Sequence, residues 1–212
     1  MINVIFEDNH LLVVEKPYNI PMNLDDSNDD DLLSMCKNYI KVKYNKPNNV
    51  YLGLVHRLDR PVGGICVFAK TSKAASRLSD QVRTRTIKKQ YIAIVEDNNL
   101  KDSGTFTDFL LKNKQKNMVS VNPNGKKAVL NYKVLARREN YAKVLINLET
   151  GRPHQIRVQF SSRNHPLYGD QRYNKNAVVG QQIALYAVSL SFIHPTLKEE
   201  MHFEVEPKKF IF

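Results

Sequence analysis

An α+β fold, built on one large and mostly antiparallel sheet flanked by a few helices, is what this 212-residue chain predicts. Three observations lead there. Short apolar or alternating runs bounded by turn residues recur along the whole length, most densely in the second half. Helical spacing is confined to a few stretches. Strands and helices never alternate regularly, as a set of βαβ units would require. No internal repeat, low-complexity tract or composition shift marks a linker, so a single domain over residues 1–212 is expected.

Val4 to Glu7 and Leu11 to Glu15 read as two strands around an Asp8-Asn9-His10 turn, the second ending at Lys16-Pro17. An acidic, Asn-rich loop from Asn23 to Asp31 follows and supplies capping carboxylates to a helix over Leu32 to Lys43. Asn45 to Asn49 is another loop. Tyr51 to Val55 leads into a turn at His56, and Ile65 to Ala69 is a buried strand leaving it. Ser72 caps a helix to about Arg85, with Ala75, Leu78 and Val82 on one face.

Lys88 to Glu96 alternates as a half-buried strand should. Asn122-Pro123-Asn124-Gly125 is a turn. Ala128 to Leu135 and Ala142 to Glu149 flank a reversal at Arg138-Glu139-Asn140, with Val144, Ile146 and Leu148 at period two. Arg152 to Arg163 reads as a short helix with Ile156 and Phe160 stacked at i, i+4. Leu185 to Ile193 and Met201 to Glu206 form a late hairpin around His194-Pro195-Thr196.

Lys and Arg number 32 against 21 acids, a net charge of +11, which suits a polyanionic partner such as nucleic acid. The two cysteines, Cys36 and Cys66, match no metal-ligand spacing and make no disulfide framework, so a reducing, cytoplasmic setting is expected. Six histidines are scattered without a metal-binding pattern, and no metal is expected. No apolar run approaches the roughly 18 residues of a membrane helix, and the first residues do not read as a signal peptide.

His56-Arg57-Leu58-Asp59, followed by Arg60-Pro61-Val62-Gly63-Gly64, carries the strongest chemical signal. It sets one carboxylate between two arginines on a tight turn, where it is held ionised and accessible, as a nucleophile must be. Arg83, Arg85, Lys88 and Lys89 form a basic run, and Lys112, Lys114 and Lys116 another, with Lys126 and Lys127 beyond it. The first leads straight to Tyr91 and suits RNA phosphates.

Four segments, in order, resemble the RluA family of RNA pseudouridine synthases. They are Glu15-Lys16-Pro17 with Pro21, then His56 to Asp59, then Lys89-Gln90-Tyr91-Ile92-Ala93, and Thr150-Gly151-Arg152-Pro153-His154-Gln155-Ile156-Arg157 with Pro166 to Asp170 after it. Two departures stand out. Asn19 replaces the usual glycine, though Asn tolerates positive φ, and Val62-Gly63-Gly64 keeps only the last glycine of the usual Thr-Ser-Gly.

The resemblance implies the family fold, with a catalytic cleft across the middle of the sheet, and isomerisation of uridine within RNA. It makes Asp59 the nucleophile, Arg157 its countercharge and Tyr91 the face on which a flipped uracil stacks. Arg57 is expected to enter the RNA stack, and Arg60, Arg83, Arg85, Lys88, Lys89, Arg152 and His154 to complete the RNA interface. The reaction breaks C1′–N1, rotates the base and joins C5 to C1′; it needs no redox step or group donor, so no cofactor is expected. Many relatives carry an N-terminal S4 module. Here the opening motif leaves no room for one, so a monomer selecting a tRNA or rRNA stem-loop through its catalytic domain is expected. Two alternatives are a non-catalytic RNA-binding or remodelling protein on the same scaffold, and a glycoside hydrolase, for which Asp170 is the nearby second carboxylate.

Overall fold

The computed structural model describes residues 2–25, 29–113 and 115–207. The first elements in chain order are β1 (Asn3–Glu7), β2 (Leu11–Lys16), α1 (Leu32–Lys43), β3 (Gly53–Leu54), β4 (Gly63–Ala69) and α2 (Ser72–Thr84). There follow β5 (Lys88–Glu96), β6 (Ser103–Asn113), β7 (Met118–Val121), β8 (Lys126–Arg138) and β9 (Tyr141–Leu148). The last are α3 (Gln155–Ser161), β10 (Leu185–Ile193) and β11 (Glu200–Glu204). This is the α+β architecture expected, with helices few and strands dominant.

The chain divides into two compact units. The first comprises Met1–Lys88 and Ala187–Glu206. Its strands run in the order β1-β2-β4-β10, with β11 beside β10 and the short β3 on β4. β1 and β2 are antiparallel, as are β2 and β4, and β10 and β11. β2 and β4 are buried at every position, which is why both read as continuous apolar runs without alternation. Leu11, Val13, Ile65, Val67, Leu190 and Phe192 from the strands pack on Ala74 and Leu78 of α2.

Both long helices begin where side-chain oxygens relieve orphan amides. Asp31 accepts from the Ser34 N–H at 3.0 Å to cap α1, and Thr71 accepts from the Ala74 N–H at 3.2 Å to cap α2. The cap of α2 is thus Thr71, and the expected Ser72 is the first helical residue. Of the acidic loop around Asn23 to Asp31, residues 26–28 lie outside the described residues, as does Lys114 of the second basic run.

The second unit is built from Lys89–Tyr186. Its strand order is β5-β9-β8-β6-β7, antiparallel throughout. Two of these strands escape the sequence reading. In β6 burial alternates, but Gly104 and Asp108 take inward positions while Phe109 and Leu111 are exposed, so the residue types hide period two; β7 is only four residues long. α3 lies against this sheet, with Phe160 meeting the rings of Phe106 and Tyr132 at centroid distances of 5.0 and 5.5 Å. It is shorter than the expected Arg152–Arg163 span, because His154 has a left-handed φ of 51° and starts the helix only at Gln155.

Gly64 is the tightest point of the first unit. Its φ is +120°, and a Cβ there would lie 2.2 Å from the Ala187 carbonyl oxygen. Gly64→Ala is therefore expected to lower unfolding stability by at least about 3 kcal/mol, seen as a large drop in thermal midpoint.

Candidate active site

Burial alternates along the segment carrying Asp59. His56 and Leu58 turn inward, at 7% and 6% exposure, while Arg57 is exposed and Asp59 partly so. The Nε2 of His56 accepts from the Val67 N–H of β4 at 3.2 Å, tying this segment to the strand. The Val62 N–H donates to the Asp59 carbonyl at 3.0 Å and closes the turn, with Arg60-Pro61 at its corner.

Beneath that turn lies the lysine of the Glu15-Lys16-Pro17 segment. Lys16 is fully buried, and its ammonium donates to the carbonyls of Pro17 and Arg60, each at 2.9 Å. Burial pushes its pKa down to about 7; the charge of Asp59 pulls it up and that of Arg60 pushes it down further. The signal in the sequence was a lysine directly continuing the apolar run of β2. Asn19 adopts φ of 61°, so asparagine does meet the demand usually placed on glycine there.

Arg60 is engaged by the acidic loop, 3.6 Å from Asp25 and ion-paired with Asp29. Arg83 pairs with Asp80 at 2.6 Å on the exposed face of α2. Arg85 ends that helix in a left-handed conformation, and Lys88 is exposed at the start of β5.

Tyr91 and Arg157 belong to the second unit, and Asp59 to the first. Tyr91 lies in β5 opposite Ile146 of β9 and is buried. Arg157 projects from α3 and is 7% exposed, not a solvent-facing helix residue. Asp170, itself fully buried, grips it with two hydrogen bonds, from Nε at 2.8 Å and from Nη2 at 2.7 Å. The guanidinium also lies 5.1 Å from the centre of the Tyr173 ring. The Tyr173 hydroxyl bonds His154 Nδ1 at 2.6 Å and accepts from the Val119 N–H of β7 at 2.9 Å. Neither Tyr173 nor the clamping role of Asp170 was legible locally.

Gln155 pins the preceding loop. Its side-chain oxygen accepts from Thr150 Oγ1 at 2.8 Å and the Arg152 N–H at 3.0 Å. Its amide donates to the Val129 carbonyl at 3.1 Å and to Gln159 at 3.0 Å. Arg152 in turn donates from Nε to the Lys127 carbonyl at 2.9 Å. Among the described residues no cluster of three or more His, Cys, Asp or Glu side chains is placed to hold a metal ion. No helix among them is long and apolar enough to cross a membrane.

A family model described as RNA pseudouridylate synthase matches residues 10–162, and this chain belongs to that family. An uncharacterized RNA pseudouridine synthase of Bacillus subtilis is 34% identical over 202 residues, covering 93% of this chain and 66% of its own length. Ribosomal large subunit pseudouridine synthase C of Buchnera aphidicola is 32% identical over 94% of this chain and 65% of its own length. Synthase D of Zymomonas mobilis is 33% identical over 97% and 69%. The chain thus spans about two thirds of the length of these relatives. Human RNA pseudouridylate synthase domain containing 4 shares the fold, with a TM-score of 0.82 at 22% identity over 98% of this chain and 89% of that one.

Two outcomes follow from these geometries. The folded-state pKa of Lys16, about 7, lies below its ordinary 10.5. Between those values the unfolded chain binds the extra proton, so this lysine makes stability rise with pH across about 7 to 10.5. A denaturation series over that window is expected to show a rise in wild type that Lys16→Met lacks. Separately, Asp170→Ala leaves the Arg157 guanidinium buried without its clamp, and urea unfolding is expected to show a loss of about 3–5 kcal/mol.

Proposed function

We propose that this protein isomerises uridine to pseudouridine in tRNA or ribosomal RNA, with Asp59 as nucleophile. The observation that carries this reading is the family match across residues 10–162, which includes His56 to Asp59, the Tyr91 strand and the Arg157 segment. That match runs through both compact units, which supports residues 1–212 acting as one catalytic domain. The net charge of +11 suits an RNA substrate, with Arg57, Arg60, Arg83, Arg85, Lys88, Lys89, Arg152 and His154 as its contacts. The site of action is then the cytoplasm, where those RNAs are processed, and the working form a monomer.

In this mechanism the target nucleotide leaves its stack, at a cost of a few kcal/mol, and its uracil rests against Tyr91. The Asp59 carboxylate promotes cleavage of C1′–N1. The uracil turns, C5 bonds to C1′, the C5 proton departs to solvent and N1 takes one up, so atoms balance without a co-reactant. Arg157 supplies fixed positive charge to the carboxylate throughout, because a guanidinium does not deprotonate in this range. The hydrogen lost from C5 makes the reaction visible. Wild type is expected to release tritium from 5-tritiated uridine in tRNA or ribosomal RNA transcripts, and Asp59→Asn to slow release at least about 10³-fold with RNA retention unchanged. Release that persists in Asp59→Asn removes the nucleophile assignment; a wild type that binds RNA without release marks a binder rather than a synthase.

A further inference from the structure

We propose that Lys89 and Gly151 form a subsite for one backbone phosphate of the substrate RNA, an inference that rests on the RNA-modifying reading above. Gly151 sits in the loop that Gln155 ties to β8 and to the start of α3, so its position is well determined. Its φ is not in the left-handed region, so the backbone does not require glycine there. Packing does not require it either. A Cβ at Gly151 would meet a single neighbour, the Lys89 ammonium, at an ordinary contact distance of 3.7 Å. The missing side chain therefore serves no need of the folded chain itself; it leaves open the approach to that ammonium.

Lys89 is half-buried, and burial alone pulls its pKa down. Among the described residues its ammonium has neither a hydrogen-bond nor an ion-pair partner. A cation drawn from water without an anion is unfavourable, and an anionic ligand reverses that penalty. A phosphate fits best. It reaches a backbone closely only over glycine, and Arg152 follows immediately in the same loop. Lys89 also lies on the same side of β5 as Tyr91, two residues and about 6.6 Å along the strand. A phosphate held there anchors the strand beside the proposed uracil platform.

The test measures retention of labelled bulk ribosomal RNA by the full chain, between about 50 and 200 mM salt. Lys89→Gln is expected to weaken binding roughly tenfold, the value of one charged hydrogen bond, and to make the salt dependence shallower by about 0.7 to 0.9 in log–log slope. Gly151→Ala is expected to weaken binding severalfold while its thermal midpoint matches wild type. Lys101→Gln, an exposed charge of the same unit, controls for net charge and is expected to change the slope much less. Wild-type affinity and slope in both Lys89→Gln and Gly151→Ala overturn the subsite. So does a lowered thermal midpoint for Gly151→Ala, which makes the glycine structural. Competition by free inorganic phosphate with no effect of either variant on RNA assigns the pair to a small anion and also overturns it. Failure of the wild type to retain either ribosomal RNA or bulk tRNA is a different result, and it removes the proposed function itself.

Discussion

An ammonium taken out of water must be held by something, and Lys16 is held by two carbonyls, one of them belonging to the turn that carries Asp59. The strand delivering Lys16 is buried on both faces, so the lysine has no route to solvent. Across the ladder its register partner is Gly64, whose backbone presses on that of Ala187. The Asp59 turn is thus fixed from below by a buried donor and at its exit by a residue that has no room for a side chain. With His56 and Leu58 buried, Arg57 is left exposed and Asp59 partly so. The orientation of the carboxylate is a property of its supports.

The second unit follows the same logic with a different pair of groups. Arg157 is charged and buried, and both facts are tolerable because Asp170 meets its fork with two parallel hydrogen bonds. Such a pair adds little net stability over an apolar one, but a broken half is costly, so it acts to hold one geometry. Tyr173 extends that hold. Its ring lies against the guanidinium, while its hydroxyl joins His154 in the loop to Val119 in β7. The outermost strand of this sheet and the proposed countercharge are therefore mechanically linked through one side chain. Gln155, satisfied on both its oxygen and its nitrogen, does the same for the loop leading into α3.

Much of this was legible from short stretches of chain. β2 and β4 announce themselves as apolar runs, β9 by alternation, and α2 by Ala75, Leu78 and Val82 at helical spacing. The motif segments also singled out Asp59, Tyr91 and Arg157 as candidates, because the family resemblance rests on short runs of adjacent residues. β6 and β7 were not legible, since Gly104 and Asp108 take inward positions in β6, Phe109 and Leu111 are exposed, and the pairing that makes them strands comes from β8 for β6 and from β6 for β7. α3 is shorter than its local pattern suggests, because the left-handed His154 is held by Tyr173, nineteen residues away.

The amino-acid sequence by itself determined the fold class and the family, because those depend on local periodicity and on the identity of adjacent residues. Tertiary structure alone decided which charges lose their water. Lys16 and Arg157 carry the same side chains as the surface cations of the chain. They became buried supports only because segments far along the sequence closed over them and brought carbonyls or a carboxylate to meet them. Desolvation and its compensation are properties of the packed interior, and the Arg60 carbonyl and the Asp170 carboxylate lie 44 and 13 residues from the cations they meet.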